Sequence, residues 1–140
     1  MRVTKSIVGY IAGLLVLVMC NSEAAERKFI KVTVEPGGEV LVCDHKNWDK
    51  TCKPLPVPTI KVTHQPANGT VAVRSGTFVV KNPWHPDAER TCIGRSFPGL
   101  GVYYLANSTF RGVATFEYEV TVGYHNRRFT FEVDVEVTVK

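Results

Sequence analysis

"RFTFEVDVEVTV", residues 128–139, is the stretch on which the fold turns. Phe129, Phe131, Val133, Val135, Val137 and Val139 alternate with Thr130, Glu132, Asp134, Glu136 and Thr138. A period of two belongs to a β-strand, which sends successive side chains to opposite faces. One face is apolar and predicted to be buried, the other polar and wet. The acidic row is also expected to discourage edge-to-edge pairing with another chain.

The same pattern recurs upstream. "TFEYEVTV" (115–122) aligns Phe116, Tyr118, Val120 and Val122 against Glu117, Glu119 and Thr121. "FIKVTV" (29–34) aligns Ile30, Val32 and Val34, and "TIKVTH" (59–64) aligns Ile60 and Val62. "EVLVC" (39–43), "TVAV", "TFVV" and "GVYYLA" (101–106) are strand-like, and no window shows a helical period. "KPLPVP" (53–58) reads as a stiff connector, because prolines at alternate positions cannot sit in a central ladder. The expectation is an all-β chain: an antiparallel two-sheet β-sandwich of seven or eight strands.

The N-terminus reads as a secretory signal over residues 1–24, leaving one domain over 25–140. Arg2 and Lys5 precede the apolar residues 7–19, and Ser22-Glu23-Ala24 places small residues at the −3 and −1 positions of a cleavage site. The apolar run is shorter than the roughly 20 residues of a membrane span. Cys20 follows it as a lipidated cysteine would, but Met19 stands where such signals carry a small residue. The predicted location is therefore periplasmic or secreted. Removing Arg2, Lys5 and Glu23 takes 17 Lys+Arg and 13 Asp+Glu to 15 and 12, a net +3 with both signs interspersed. That is a soluble surface, without the basic stripe of a nucleic-acid-binding protein.

Three cysteines remain, Cys43, Cys52 and Cys92, and export predicts one disulfide and one leftover thiol. Chain entropy gives roughly 4 kcal/mol for closing Cys52–Cys92 and about 2.7 kcal/mol for Cys43–Cys52. That difference leaves the pairing open, with a lean towards a bridge that uses Cys92.

Consecutive turns of an antiparallel succession alternate between the two ends of a sandwich. "EPGGE" (35–39), "QPANG" (65–69) and "NSTFRG" (107–112) then share a short-turn end. Residues 43–58, 82–101 and 123–128 share a long-loop end. This assignment treats "TVAVRSGTFVV" (70–80) as one long strand with a possible bulge at Ser75-Gly76.

The long-loop end collects Trp48, Trp84, His85, Arg90, Arg95, Arg127 and Arg128, the candidate binding residues. Long connections are less often mere connectors. The plainer roles are core capping for the tryptophans and solvated pairing for the arginines. His45, His85 and His125 are the candidates for zinc or copper ligation, although no pair has a recognised metal spacing. No nucleophile–base motif is present; "GRSFPG" (94–99) does not match the Gly-x-Ser-x-Gly elbow. No cofactor is expected.

"VTHQPANGTVAV", "VYYLANSTFRGVATFEYEVTV" and "FEVDVEVTV" together resemble bacterial cadherin-like, immunoglobulin-like repeats of exported proteins. Pro66, Gly69, Thr70 and Val71 match a Pro-x-x-Gly-Thr-Val turn. Tyr103, Tyr104, Phe110, Gly112, Phe116, Tyr118 and Val120 match the Tyr-rich strand, Phe-x-Gly turn and Phe-x-Tyr-x-Val strand. The resemblance implies an immunoglobulin/cadherin-like sandwich, here a single copy with residues 82–101 as an insertion. The function expected is non-enzymatic binding of a protein or glycan through the long-loop end. The alternatives are a structural or self-associating envelope or adhesion module, and a His-rich metal-binding protein.

Overall fold

A computed structural model describes residues 26–81 and 90–140. The predicted signal segment, Cys20, Trp84 and His85 lie outside the described residues. Seven strands form: β1 (Glu26–Val34), β2 (Glu39–Lys46), β3 (Thr59–His64), β4 (Gly69–Val79), β5 (Ser96–Ala106), β6 (Gly112–Tyr124) and β7 (Arg127–Val139). They make a two-sheet β-sandwich, with a four-stranded sheet in the order β1-β7-β6-β3 and a three-stranded sheet in the order β2-β5-β4. All pairings are antiparallel except β1 with β7, which is parallel.

The alternation of β6 and β7 has the predicted consequence except at the start of β7, where Phe129, expected on the buried face, is 51% exposed because it lies at the open end of the sandwich. Phe116, Tyr118, Val120, Val133, Val135, Val137 and Val139 are buried, facing Val42, Val102, Tyr104 and Ala106 of the other sheet. Tyr104 and Phe116 stack across the gap with centroids 6.1 Å apart. Burial of such side chains contributes roughly 1.5–3 kcal/mol each. The outer face of the four-stranded sheet carries the charges: Arg27 reaches Glu117, Glu132 and Asp134, and Lys31 pairs with Glu136. β7 is hydrogen-bonded on both sides, so its acidic row guards no edge; it furnishes a face that Arg27 neutralises.

The turns fall on two ends as expected. At one end Ala106 N–H donates to Gly38 O (3.0 Å) and Asn107 N–H to Asn68 O (3.3 Å), so residues 35–39, 65–69 and 107–112 gather there. Pro66 and Gly69 flank the second turn. A Cβ on Gly69 would stand 2.5 Å from the Tyr104 ring and 2.6 Å from Leu105 O, so close approach excludes a side chain here.

Three boundaries differ from expectation. No bulge interrupts Ser75-Gly76, because β4 keeps one register against β5 from Gly69↔Ala106 to Val79↔Ser96. The bulges lie instead between Leu41 and Cys43 and between Val62 and His64. Residues 96–101, expected in an inserted loop, are the first half of β5, and Pro98 is tolerated where β5 has only β4 beside it, β2 having ended at Lys46↔Gly99. Cys43 to Lys46, also expected in a loop, belong to β2.

Candidate functional site

The far end is built from three segments tied together. The first leaves β2 at Asn47. Its buried side chain donates to Gly123 O (2.7 Å) in β6 and to Pro56 O (3.3 Å), while its carbonyl accepts Leu55 N–H (3.0 Å). Asp49 then organises the reversal: one carboxylate oxygen accepts Thr51 N–H (2.8 Å), Thr51 Oγ1–H (2.7 Å) and Lys53 N–H (2.9 Å). These bonds, led by the Thr51 hydroxyl, hold the Asp49 carboxyl below its ordinary pKa. This is the Asx-type turn that an Asp-x-Thr sequence favours.

The second segment is clasped onto the first. Cys52 and Cys92 form a disulfide, Cα–Cα 5.5 Å, and Cys92 closes a short 3-10 turn, Arg90–Cys92. The alternative Cys43–Cys52 bridge does not form; Cys43 is a free thiol. Val80 N–H donates to Arg95 O (2.8 Å) and Gly94 N–H to Val80 O (2.9 Å). Val80, Cys92 and Phe97 make a second, smaller core, with Trp48 and Cys52 packed against it. Phe97 alternates with the inward Leu100, Val102 and Tyr104, so it lies on the outer face of the three-stranded sheet. The loops therefore fold down over that face. The Trp48 indole stacks on Phe97, centroids 5.3 Å apart and 8° from parallel, and the Lys46 ammonium lies 5.9 Å from the indole.

The third segment is the tight β6–β7 turn. Tyr124 pairs with Arg127, leaving only His125 and Asn126 between. His125 holds φ 55° and packs edge-on to Tyr124, centroids 4.2 Å apart. Tyr124, His125, Asn126, Arg127 and Phe129 line a surface depression of ≈ 460 Å³.

The predicted residues thus divide. Trp48, Arg95, Arg127 and Arg128 belong to this end, the arginines exposed and Trp48 half-buried. Arg127 and Arg128 begin β7 and are not loop residues. The Arg90 side chain, Trp84 and His85 fall outside the described residues. His45 does not belong here. The bulge at Leu41–Cys43 turns Cys43 inward opposite Val102, so His45 also points between the sheets. There its Nε2 lies 2.8 Å from Tyr118 Oη. Burial lowers its pKa to about 4, with nearby Asp44 opposing. Burial, and next Asp44, raise the Cys43 thiol, and burial raises Tyr118. His45 and His125 therefore occupy different places. Among the described residues no three His, Cys, Asp or Glu side chains form a metal-binding group.

Sequence reasoning missed Asn47, Phe97, Tyr124 and Phe129. Asp-x-Thr was a usable signal for the loop fold; nothing local marks Phe97 as the base of a second core.

Among the described residues, this end is basic. Lys50, Lys53, Arg95, Arg127 and Arg128 are exposed, and none forms an ion pair among the described residues. Asp44 is paired with Lys46, and Asp49 is occupied by its own loop. The arrangement suits recognition of acidic groups beside apolar contacts. No family model, curated protein or solved structure matches the chain.

Proposed function

We propose that the protein is an exported, non-enzymatic binding module whose clasped loop end contacts a protein or glycan partner carrying acidic groups. One observation carries the reading. A disulfide, a buried asparagine and a backbone pair hold three separate segments as one rim, and among the described residues Lys50, Lys53, Arg95, Arg127 and Arg128 stand exposed there without an ion pair. A preorganised surface binds with less ordering cost than free loops. The disulfide is compatible with export. The resemblance to bacterial cadherin-like and immunoglobulin-like repeats supports a binding role, and Trp84, His85 and Arg90 complete the proposed contact set with Trp48, Arg95, Arg127 and Arg128.

The test is capture of the labelled chain on arrays of acidic and neutral glycans and on immobilised envelope extract. Arg95→Glu with Arg127→Glu should reduce capture tenfold or more, on the order of 1.4 kcal/mol, with unfolding unchanged. Equal capture by wild type and variant would overturn the proposal. Trp48→Ala is a poor probe, because it also removes the stack on Phe97.

A further inference from the structure

Among the described residues the sandwich has four edge strands, and three are protected. β2 is bulged and carries Glu39, Asp44 and Lys46. β3 has only six residues, a bulge, and Pro54, Pro56 and Pro58 before it. β1 carries Arg27, Lys28 and Lys31. Charges, bulges, prolines and short length are the devices that keep edges from pairing. β4 has none of the structural ones: eleven residues, GTVAVRSGTFV, in unbroken register, with Arg74 its single charge.

The free side of β4 can be identified from the ladder. Val80 N–H points to β5, donating to Arg95 O; Ala106 N–H turns away from its β4 partner Gly69 to Gly38 O. Alternation along an antiparallel pair then directs the N–H and C=O groups of Val71, Val73, Ser75, Thr77 and Val79 outward. Pro98, opposite Thr77, fits: its missing N–H would also face away from β4. The apolar side chains of the same residues are incompletely covered, Val73 being 38% and Val79 44% exposed. Arg74 is drawn off the edge. Its guanidinium carbon lies 4.1 Å from the Tyr103 ring centroid, and it pairs with Glu39 on the far strand of the sheet.

We propose that β4 pairs antiparallel with β4 of a second copy, about a two-fold axis through Ser75, joining two three-stranded sheets into one of six. The occupant is argued from self-complementarity. In this register Val71 lies opposite Val79 of the second copy and Val73 opposite Thr77. Ala72 lies opposite Phe78, and Arg74 opposite Gly76, which has no side chain to crowd it. All five outward residues find partners, making about ten backbone hydrogen bonds. This surface is independent of the loop rim. The antiparallel geometry would leave one rim at each end of the dimer, pointing in opposite directions.

Size-exclusion chromatography with light scattering, from low to high micromolar full chain, should show the mass doubling with concentration. Ser75→Cys, made with Cys20→Ala and Cys43→Ala, should then oxidise to a covalent dimer, because residues facing each other across the axis lie within disulfide reach. Val71→Cys in the same background should not, since its counterpart is eight positions out of register. Thr77→Lys should abolish the doubling while leaving the melting curve near wild type. A monomer at every concentration overturns the proposal, as does equal crosslinking at positions 71 and 75.

Discussion

His45 is a charged-or-neutral side chain placed between two sheets, and its environment decides which. Taken from water, it protonates only near pH 4, against an ordinary 6.5. The unfolded chain therefore binds a proton between those values that the folded chain does not. Stability is fully present above pH 6.5 and is lost as pH falls towards 4, by at most about 3 kcal/mol. Urea unfolding across this window should show the loss, and His45→Phe should remove most of its pH dependence. The difference between the two proteins separates His45 from the surface carboxylates. Matching slopes in wild type and variant would show that the histidine is not withdrawn from water. Only the bulge at Leu41–Cys43 puts this ring inside; strict alternation from Val40 and Val42 would have turned it out.

At the scale of the strand, two glycines make opposite demands. Gly69 opens β4 against the Tyr104 ring and the Leu105 carbonyl, and Tyr104 Oη donates to Asn68 O (2.9 Å) beside it. A methyl group there has no room, since a backbone carbonyl cannot move cheaply. Gly69→Ala should cost about 1–3 kcal/mol. Gly123, near the end of β6, meets its nearest neighbour only at 4.0 Å, so Gly123→Ala should lie within about 0.5 kcal/mol of wild type. Chemical denaturation of both variants checks the pair. If they are equally destabilised, loss of strand flexibility rather than close approach is the reason for glycine. "QPANG" is thus shaped by what the strand after it must pack against, as well as by its own turn.

At the scale of the molecule, two cores of unequal size share one chain. The larger lies between the sheets; the smaller joins Val80, Cys92 and Phe97 under Trp48, outside them. The disulfide belongs to the smaller. Cys52→Ser with Cys92→Ser should lower stability by about 2–4 kcal/mol. Hydrogen exchange should quicken first around residues 47–56, while β6 and β7 stay protected. Loss of protection throughout the sandwich at the same rate would mean that the two cores are one cooperative unit. Much of the larger core was readable beforehand, because alternation names a buried face without reference to any partner. So was the division of turns between two ends, which follows from counting strands. The smaller core was not, because the residues from 96 to 101 contain Pro98, Gly99 and Gly101 and look like loop. They become strand only because β4 supplies a continuous partner. By itself the sequence determined the all-β class and the faces along most of β6 and β7; between the possible cysteine pairings it only leaned towards Cys92. The tertiary structure alone decided the Cys52–Cys92 pairing, the inward turn of His45, the central place of β7 and the edge place of β4. Periodicity is a local property of one strand, whereas pairing, bulges and edges are relations between strands far apart in the chain.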